Sequence, residues 1–392
     1  MKGKIIFSAF DGMSCGQIAL KELGVNVDKY YASEIDKYAI MQTQYNFPNT
    51  IQLGSIVDVD VSKLDKIDLL IGGSPCQSFS FAGKRKGMST TENEEIYTLD
   101  RYLQLKEEGF QFEGQSYLFW EYIRILTEIR KRNPDVKFLL ENVEMGDKWE
   151  RVLSEAIGIF GVHINSALVS AQNRKRIYWT NIRVKEVGLF GELHSDIPQP
   201  KDKGVLLKDI LEKEVDEKYY LSEKGIASLF KHKENNTKKG NGFGVQFITH
   251  ESEKSNTILQ RSYKDCKDDA ICVAQIGRGN GQNLEPNYTG KTNCLTSVQK
   301  DNLIIQKARG YNKGGLFFDK SPTLTQNSFE HNNHVQQGYR IRRLTPTECA
   351  RLQTIPEWYE WVVSETQQYK MLGNGWTVKV IMHILKYINK DF

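Results

Sequence analysis

Apolar and polar positions follow two rhythms along the first 180 or so residues. Short apolar runs at Lys4–Phe10, Asp28–Glu34, Lys66–Gly73 (KIDLLIGG) and Val136–Val143 (VKFLLENV) predict buried strands. Between them, Ser14–Leu23, Lys37–Tyr45, Ser116–Arg132 and Asp147–Ile159 carry helical spacing, and two more strands are predicted near His163–Ser170 and Arg176–Ile182. Strand and helix in alternation imply an α/β fold with a mostly parallel sheet and helices on both faces. Ligands on such sheets bind at the carboxyl ends of the strands. Three stretches fall at those ends: FDGMSCG after the first strand, SPCQS after the strand ending at Gly73, and ENV closing the strand at Val143.

After about Pro198 the rhythm is lost. Residues 196–340 are rich in Asn, Gly, Gln, Lys and Thr with short β-like runs, and a weak repeat (KSNTI from Lys254, KTNCL from Lys291, KSPTL from Lys320) predicts a β-rich unit of hairpins, unless the likeness is chance in a biased segment. Further on, Thr345-Pro346 with Glu348 forms a capping-box signature. Met371–Ile388 (MLGNGWTVKVIMHILKYI) predicts a Gly-Asn-Gly turn opening a final helix that returns to the first domain. The predicted organisation is a catalytic domain at 1–195, completed by 366–392, and a second domain at 196–365.

Composition bounds the class. With 392 residues, 39% hydrophobic and 11% aromatic, the chain can pack a substantial core, and no apolar run approaches the roughly 20 residues a membrane helix needs. The net charge of +4 permits a polyanionic partner without requiring one. Residues 196–340 hold 22 Lys/Arg against 18 Asp/Glu, so a nucleic-acid surface there must come from placement rather than bulk charge. The six cysteines (15, 76, 266, 272, 294, 349) include no Cys-x-x-Cys and no His at ligand spacing, which argues against a metal site. The N-terminus lacks a signal-peptide pattern, so reduced thiols in a cytoplasmic setting are expected.

FDGMSCG is a glycine-bearing turn between strand and helix, suited to a nucleotide-like ligand approaching backbone amides. Glu34, closing the second strand, is placed to accept hydrogen bonds from ribose hydroxyls. Together they indicate an adenosine-containing cofactor, although the fuller G-x-G-x-x-G of dinucleotide sites is missing.

The order of signals, FDGxxxG, SPCQSFS, ENV, QNRKR, then RRLTPTECARLQ and GNGWTV after a variable β-rich insert, closely resembles the C5-cytosine DNA methyltransferase family, of bacterial or phage modification type. The likeness covers nearly the whole chain outside the variable region. It implies a Rossmann-like methyltransferase sheet with a smaller target-recognition domain, S-adenosylmethionine as cofactor, double-stranded DNA as partner, no membrane, no metal and a monomer. Phe10, Gly12, Gly16, Glu34 and Ile56 match positions lining the cofactor pocket, with Asn374 closing it. Where family members often carry Asp at the adenine contact, this chain has Gly54-Ser55-Ile56, so either Ser55 substitutes or Asp58 reaches in.

C5 of cytosine is a poor nucleophile, so a thiolate must first add at C6; Cys76 fits that role. Glu141 suits the contact to N3 that eases addition, with Asn142 positioning it. Strand alternation puts Arg174 and Arg176 on one face, and the resemblance assigns the pair to the base O2 and the nearby DNA backbone. Gln77 and Ser80 beside the nucleophile, and Arg261, Arg278 and Arg309 in the variable region, are the candidate DNA contacts. The target base must be rotated out of the duplex. The polar stretch 88–114 reads either as an enlarged lid or as a solvated insertion. Two rival readings remain open: a tRNA cytosine methyltransferase of the same fold, which the long variable region disfavours, and a catalytically dead DNA-binding regulator, which the intact Cys76, Glu141 and Arg176 disfavour.

Overall fold

The computed structural model describes residues 3–75, 95–110, 112, 115–220, 222, 238, 246–248, 269–274, 302–306, 315–317, 334–337 and 339–388. Its centre is a seven-stranded sheet in the order β3-β2-β1-β4-β5-β7-β6. The strands are β1 (Lys4–Ala9), β2 (Val27–Ser33), β3 (Ile51–Gln52), β4 (Leu69–Gly73), β5 (Lys137–Val143), β6 (Val162–Asn165) and β7 (Lys175–Thr180). Neighbours from β3 to β5 are parallel, whereas β7 runs antiparallel to both β5 and β6. From β1 the chain winds outward to β3 and then crosses to β4 on the other side. The strand order therefore reverses between β1 and β4, and it is outside the carboxyl ends of strands at such a reversal that open α/β sheets hold ligands.

Alternation along the strands divides the core into two layers. Ile6 of β1, Leu69 and Ile71 of β4, Leu139 of β5 and Tyr178 of β7 face one hydrophobic cluster. Phe7, Leu70, Phe138, Leu140, Ile177 and Trp179 face the other. The first layer is covered by α1 (Cys15–Glu22) and by helices from the far end of the chain, α7 (Glu365–Asn374) and α8 (Val378–Leu385). The second is covered by α3 (Leu99–Glu107), α4 (Leu118–Arg132) and α5 (Asp147–Ile157). Helix α2 (Lys37–Asn46) starts at Asp36, whose carboxylate accepts from the Tyr38 amide.

The strands and helices read from the first 180 residues are present, with one shift: after Asn165 the chain leaves β6 for a 3-10 turn at Ser166–Leu168 instead of continuing as strand. The Asn165 side chain accepts from Ala167 N and Arg174 N, diverting the backbone from the ladder. The described part of the 88–114 stretch packs into the core rather than standing in solvent. Ile96, Tyr102 and Leu105 are buried in the second cluster, and the Tyr102 hydroxyl and Lys106 ammonium both reach the buried Glu121 carboxylate at 2.6 Å.

Helix α6 (Pro346–Leu352) has the expected capping box between Thr345 and Glu348. The Gly-Asn-Gly segment departs from expectation: Met371–Asn374 is the last turn of α7, and only Gly375–Thr377 separates it from α8. The end of α7 is captured from outside. Carbonyls that a helix terminus leaves unpaired are taken by two buried side chains, Gln353 (to Leu372 O, 2.7 Å) and Arg174 (to Gly373 O, 3.3 Å).

Between the two parts of this sheet domain, after the antiparallel pair β8 (Val184–Val187) and β9 (Glu192–Ser195), strands β10 (Gln246–Ile248), β11 (Asp269–Ala274) and β15 (Tyr339–Arg342) form one three-stranded sheet. Strands β12 (Asn302–Gln306), β13 (Gly315–Phe317) and β14 (His334–Gln337) form another. The flanking segments belong with the main core: Ile197, Leu207 and Ile210 on one side and Leu344 through Tyr359 on the other share the first cluster. The repeats at Lys254, Lys291 and Lys320 lie outside the described residues.

Candidate active site

The loop after β1 is bent by three left-handed residues, Phe10 (φ 57°), Gly12 (φ 58°) and Ser14 (φ 64°). For the two non-glycine residues this conformation costs on the order of 1–3 kcal/mol each. Neighbours hold it. Asp11 N donates to Ser33 O (3.1 Å), Thr43 Oγ1 to Gly12 O (3.2 Å), and the buried Tyr359 hydroxyl to Met13 O (2.9 Å). Glu34, at the carboxyl end of β2, accepts from Gly12 N through Oε2 and from Ile35 N and Asp36 N through Oε1, all at 2.8 Å.

Space beside Glu34 is open. A Cβ added at Gly12 or at Gly54 (φ 72°) would meet nothing within 4 Å, and Gly54 O is tied to Ser33 Oγ at 2.8 Å. Ile56 is buried and Ser55 caps the short turn that contains it, accepting from Val57 N at 3.3 Å. Asp58 stands exposed. A half-buried carboxylate flanked by two unobstructed glycine loops fits a ribose and its base; a carboxylate has lone pairs to spare after three backbone donors.

Gly16 has a packing reason to be small. A Cβ there would lie 2.2 Å from Ile71 Cδ1 and 3.5 Å from the Trp376 ring. Two ionisable groups of this segment, Asp11 and Cys15, carry no local sequence signal of their burial. Burial, partly offset by the hydroxyls of Ser8, Ser14 and Tyr30, pushes the Asp11 carboxyl up to about 6, and Tyr30 Oη donates to it at 2.9 Å. Burial pushes the Cys15 thiol up to about 12, and Cys349 is buried too. Neither is a ready nucleophile.

The second half of the site forms at the ends of β4, β5 and β7. Parallel pairing sets Gly73 opposite Glu141, and antiparallel pairing sets Val143 opposite Arg176. Alternation then points Glu141, Tyr178 and Arg176 to the layer covered by α1 and α8. Arg176 Nε lies 2.9 Å from Glu141 Oε1, with both side chains nearly buried. Trp376 Nε1 donates to Glu141 Oε2 at 3.2 Å. Asn142 faces the other way, donating to Ser74 Oγ at 2.9 Å, which ties the end of β5 to the segment leading into Pro75. Of these partners, Trp376 and Ser74 were not foreseen; only their membership in GNGWTV and SPCQS pointed to the region.

Arg174 is placed differently from Arg176. It is 3% exposed, and its guanidinium donates to Gly373 O and, at 2.9 Å, to Gly375 O. Asn374, between those carbonyls, is exposed at the tip of α7. Cys76, Gln77, Ser80, Arg261, Arg278 and Arg309 lie outside the described residues.

The site is thus an open loop crevice ending β1 and β2, joined to a buried carboxylate and arginine pair at the ends of β5 and β7. The sequence profile of C-5 cytosine-specific DNA methylases matches residues 5–390. The chain belongs to this family. The methylase is 31% identical over 468 residues to the orphan methyltransferase M.SPRI of Bacillus phage SPR, covering 99% of both chains. It is 30% identical over 390 residues to the type II methyltransferase M.HpaII of Haemophilus parainfluenzae, covering 95% of this chain and 85% of the other. Among solved structures, the S. pombe Dnmt2 methyltransferase superposes with a TM-score of 0.56 at 17% identity over 99% of this chain and 98% of that one, a likeness of fold. The methylase is accordingly a DNA (cytosine-5-)-methyltransferase by family, with an α/β fold. Among the described residues no helix is long and apolar enough to cross a membrane, and no cluster of His, Cys, Asp and Glu could hold a metal ion.

Proposed function

We propose that this protein methylates C5 of a cytosine rotated out of a specific duplex DNA sequence, through a covalent bond between Cys76 and C6 of the base. The observation that carries the reading is the register between β4 and β5: Glu141 is paired with Gly73, three residues before Cys76, and is gripped by Arg176. A nucleophile and a carboxylate on adjacent strand ends can approach two atoms of one flat ring. Cys76 attacks C6, Glu141 meets N3 as electron density moves onto the ring, and Arg176 orients the carboxylate and faces the base. Gln77 and Ser80 belong to the same DNA-facing machinery in this reading, whereas Arg174 acts indirectly, buried beneath the Gly373–Gly375 segment that it holds.

Phe10, Gly12, Gly16, Glu34, Ser55, Ile56 and Asn374 are the residues that would hold S-adenosylmethionine, with Glu34 on the ribose and the strained Phe10–Ser14 turn beside it. When bound, that cofactor supplies an electrophilic methyl group. Target reading falls to residues between about 240 and 335, including Arg261, Arg278 and Arg309, through groove contacts. We place the boundaries of that unit near Tyr220 and Arg342, because the flanks 197–219 and 344–372 pack with the main sheet. The protein works as a monomer in the cytoplasm of a bacterium or phage-infected cell.

The test is transfer of tritiated methyl from S-adenosylmethionine to duplex DNA and, in parallel, to tRNA, followed by bisulfite mapping. Label on duplex DNA at one recurrent sequence is expected. Label on tRNA alone would replace the reading with the RNA one, and no transfer to either, with DNA still bound, would favour an inactive regulator.

A further inference from the structure

Glu141 ends in a carboxyl group whose last torsion is broad and roughly two-fold, so a single partner leaves its plane free to turn. In this molecule each oxygen has its own donor. Arg176 Nε holds Oε1 at 2.9 Å, and the indole N–H of Trp376 holds Oε2 at 3.2 Å. We propose that Trp376 is a positioning residue for the methyl-transfer reaction, fixing the plane of the Glu141 carboxylate so that it meets the target base in one orientation. The proposal rests on the reading of Glu141 as the group that meets N3.

Trp376 is itself prepared for this task. Its ring is wedged between two glycines: a Cβ at Gly73 would come within 2.8 Å of Trp376 Nε1 and 3.1 Å of Glu141 Oε2, and one at Gly16 within 3.5 Å of the ring edge. The missing side chain at Gly73 is thus the space in which the Trp376–Glu141 bond forms. The backbone that carries the indole is pinned on both sides. Arg174 and Gln353 both donate to Gly375 O, at 2.9 and 3.2 Å. Thr377 Oγ1 donates to Gln353 Oε1 and accepts from Ser166 Oγ, each at 2.9 Å, and Val378 N donates to Gln353 O at 3.0 Å. Trp376 is 9% exposed and Arg174 3%. Two buried polar side chains from separate parts of the chain, Arg174 and Gln353, hold a three-residue connector whose tryptophan points at the carboxylate. Such convergence is costly unless the geometry it fixes is used.

The experiment uses the full chain, S-adenosylmethionine and genomic DNA from a host lacking cytosine methylation. Trp376 is replaced by Phe and, in a second protein, by benzothienylalanine, which keeps the shape of the indole but has sulfur in place of N–H. Both variants are expected to slow single-turnover methyl transfer by roughly ten- to a hundredfold, the scale for a misaligned reacting group. Cofactor affinity by calorimetry and the thermal midpoint of the benzothienylalanine protein should stay at parental values. Adding Trp376→Phe to Glu141→Ala should slow that variant no further, because the indole acts through the carboxylate. An unslowed benzothienylalanine protein, or a double variant slower than Glu141→Ala alone in single turnover, overturns the proposal while the slowed rate of Glu141→Ala leaves the reading of Glu141 standing. Full activity of Glu141→Ala overturns both the proposal and the reading beneath it.

Discussion

Arg342 and Glu348 meet in a two-point ion pair, Nη1 to Oε2 and Nη2 to Oε1 each at 2.7 Å, with neither side chain more than 2% exposed. The pair lies where the chain leaves β15 and enters α6. The Glu348 carboxylate also accepts from Thr345 N at 2.9 Å and from Glu212 N at 2.9 Å, so one buried group ties three segments together. Removing one partner strands a charge, and Glu348→Ala is expected to destabilise the sheet domain by about 3–5 kcal/mol in denaturant unfolding. Replacing both residues with apolar side chains of similar volume should recover much of that loss. A single-variant loss below about 1 kcal/mol would mean that solvent reaches the pair.

What the sequence made legible follows from how local each signal is. The apolar runs of β1, β4 and β5 and the Thr345/Glu348 capping box depend on neighbours a few residues away, and they appear in the structure as read. The places of Glu34 and Glu141 at the carboxyl ends of β2 and β5 were legible because each ends an apolar run. The end of α7 was not legible, since Gly-Asn-Gly has low helix propensity and its helical state depends on Arg174, some 200 residues away, and on Gln353. The same distance hid the bond from Trp376 to Glu141. Arg176 lies in β7 but Arg174 precedes the strand, and alternation says nothing of the carbonyls that draw Arg174 under the connector. The buried Tyr102 and Leu105 were missed because α3 is polar on its outer face, and charge there outweighed two apolar positions.

Asp11 gives the protein a pH-dependent stability. Its carboxyl is raised from 3.8 to about 6, so the folded state holds the proton more tightly than the unfolded chain. The stabilisation this provides is complete below about pH 4 and is lost as pH rises through 6. Asp11→Asn keeps an acceptor for Tyr30 and removes the buried charge. Relative to the parent, this variant should gain on the order of 2–3 kcal/mol between pH 4 and pH 7.5. Parallel stability curves for the two proteins over that range would show that Asp11 is solvated.

Glu34 combines two tasks that one substitution separates from catalysis. In the structure it closes the Phe10–Ser14 turn through Gly12 N, and in the proposed complex it also accepts from the ribose. Glu34→Ala should weaken S-adenosylmethionine binding by about 1.5–3 kcal/mol, the worth of charge-assisted hydrogen bonds. Glu34→Gln, which retains one acceptor oxygen, should fall between the two. Saturating cofactor should restore most of the methyl-transfer rate in either variant. Calorimetry giving the parental affinity for Glu34→Ala would remove the ribose from its role.

Two thiols other than Cys76 have described surroundings, Cys15 and Cys349. Cys15 is buried with its thiol pushed up to about 12, so it supplies no thiolate near neutral pH, and Cys349 is buried away from solvent. If the Cys76 thiolate adds to C6 of cytosine, the enzyme is released only when a base removes the C5 hydrogen after methyl transfer. Duplex DNA with 5-fluorocytosine at the target has no hydrogen there to remove. Incubation with S-adenosylmethionine should therefore leave a protein–DNA complex that survives denaturation, and Cys76→Ala should abolish it while Cys15→Ala and Cys349→Ala, where they fold, retain it. Glu141→Gln should slow the appearance of the complex without preventing DNA binding, because its work lies on N3 during attack. An enzyme that methylates ordinary duplex but leaves no trapped complex, or a Cys76→Ala variant that still methylates, would assign the chemistry to another group.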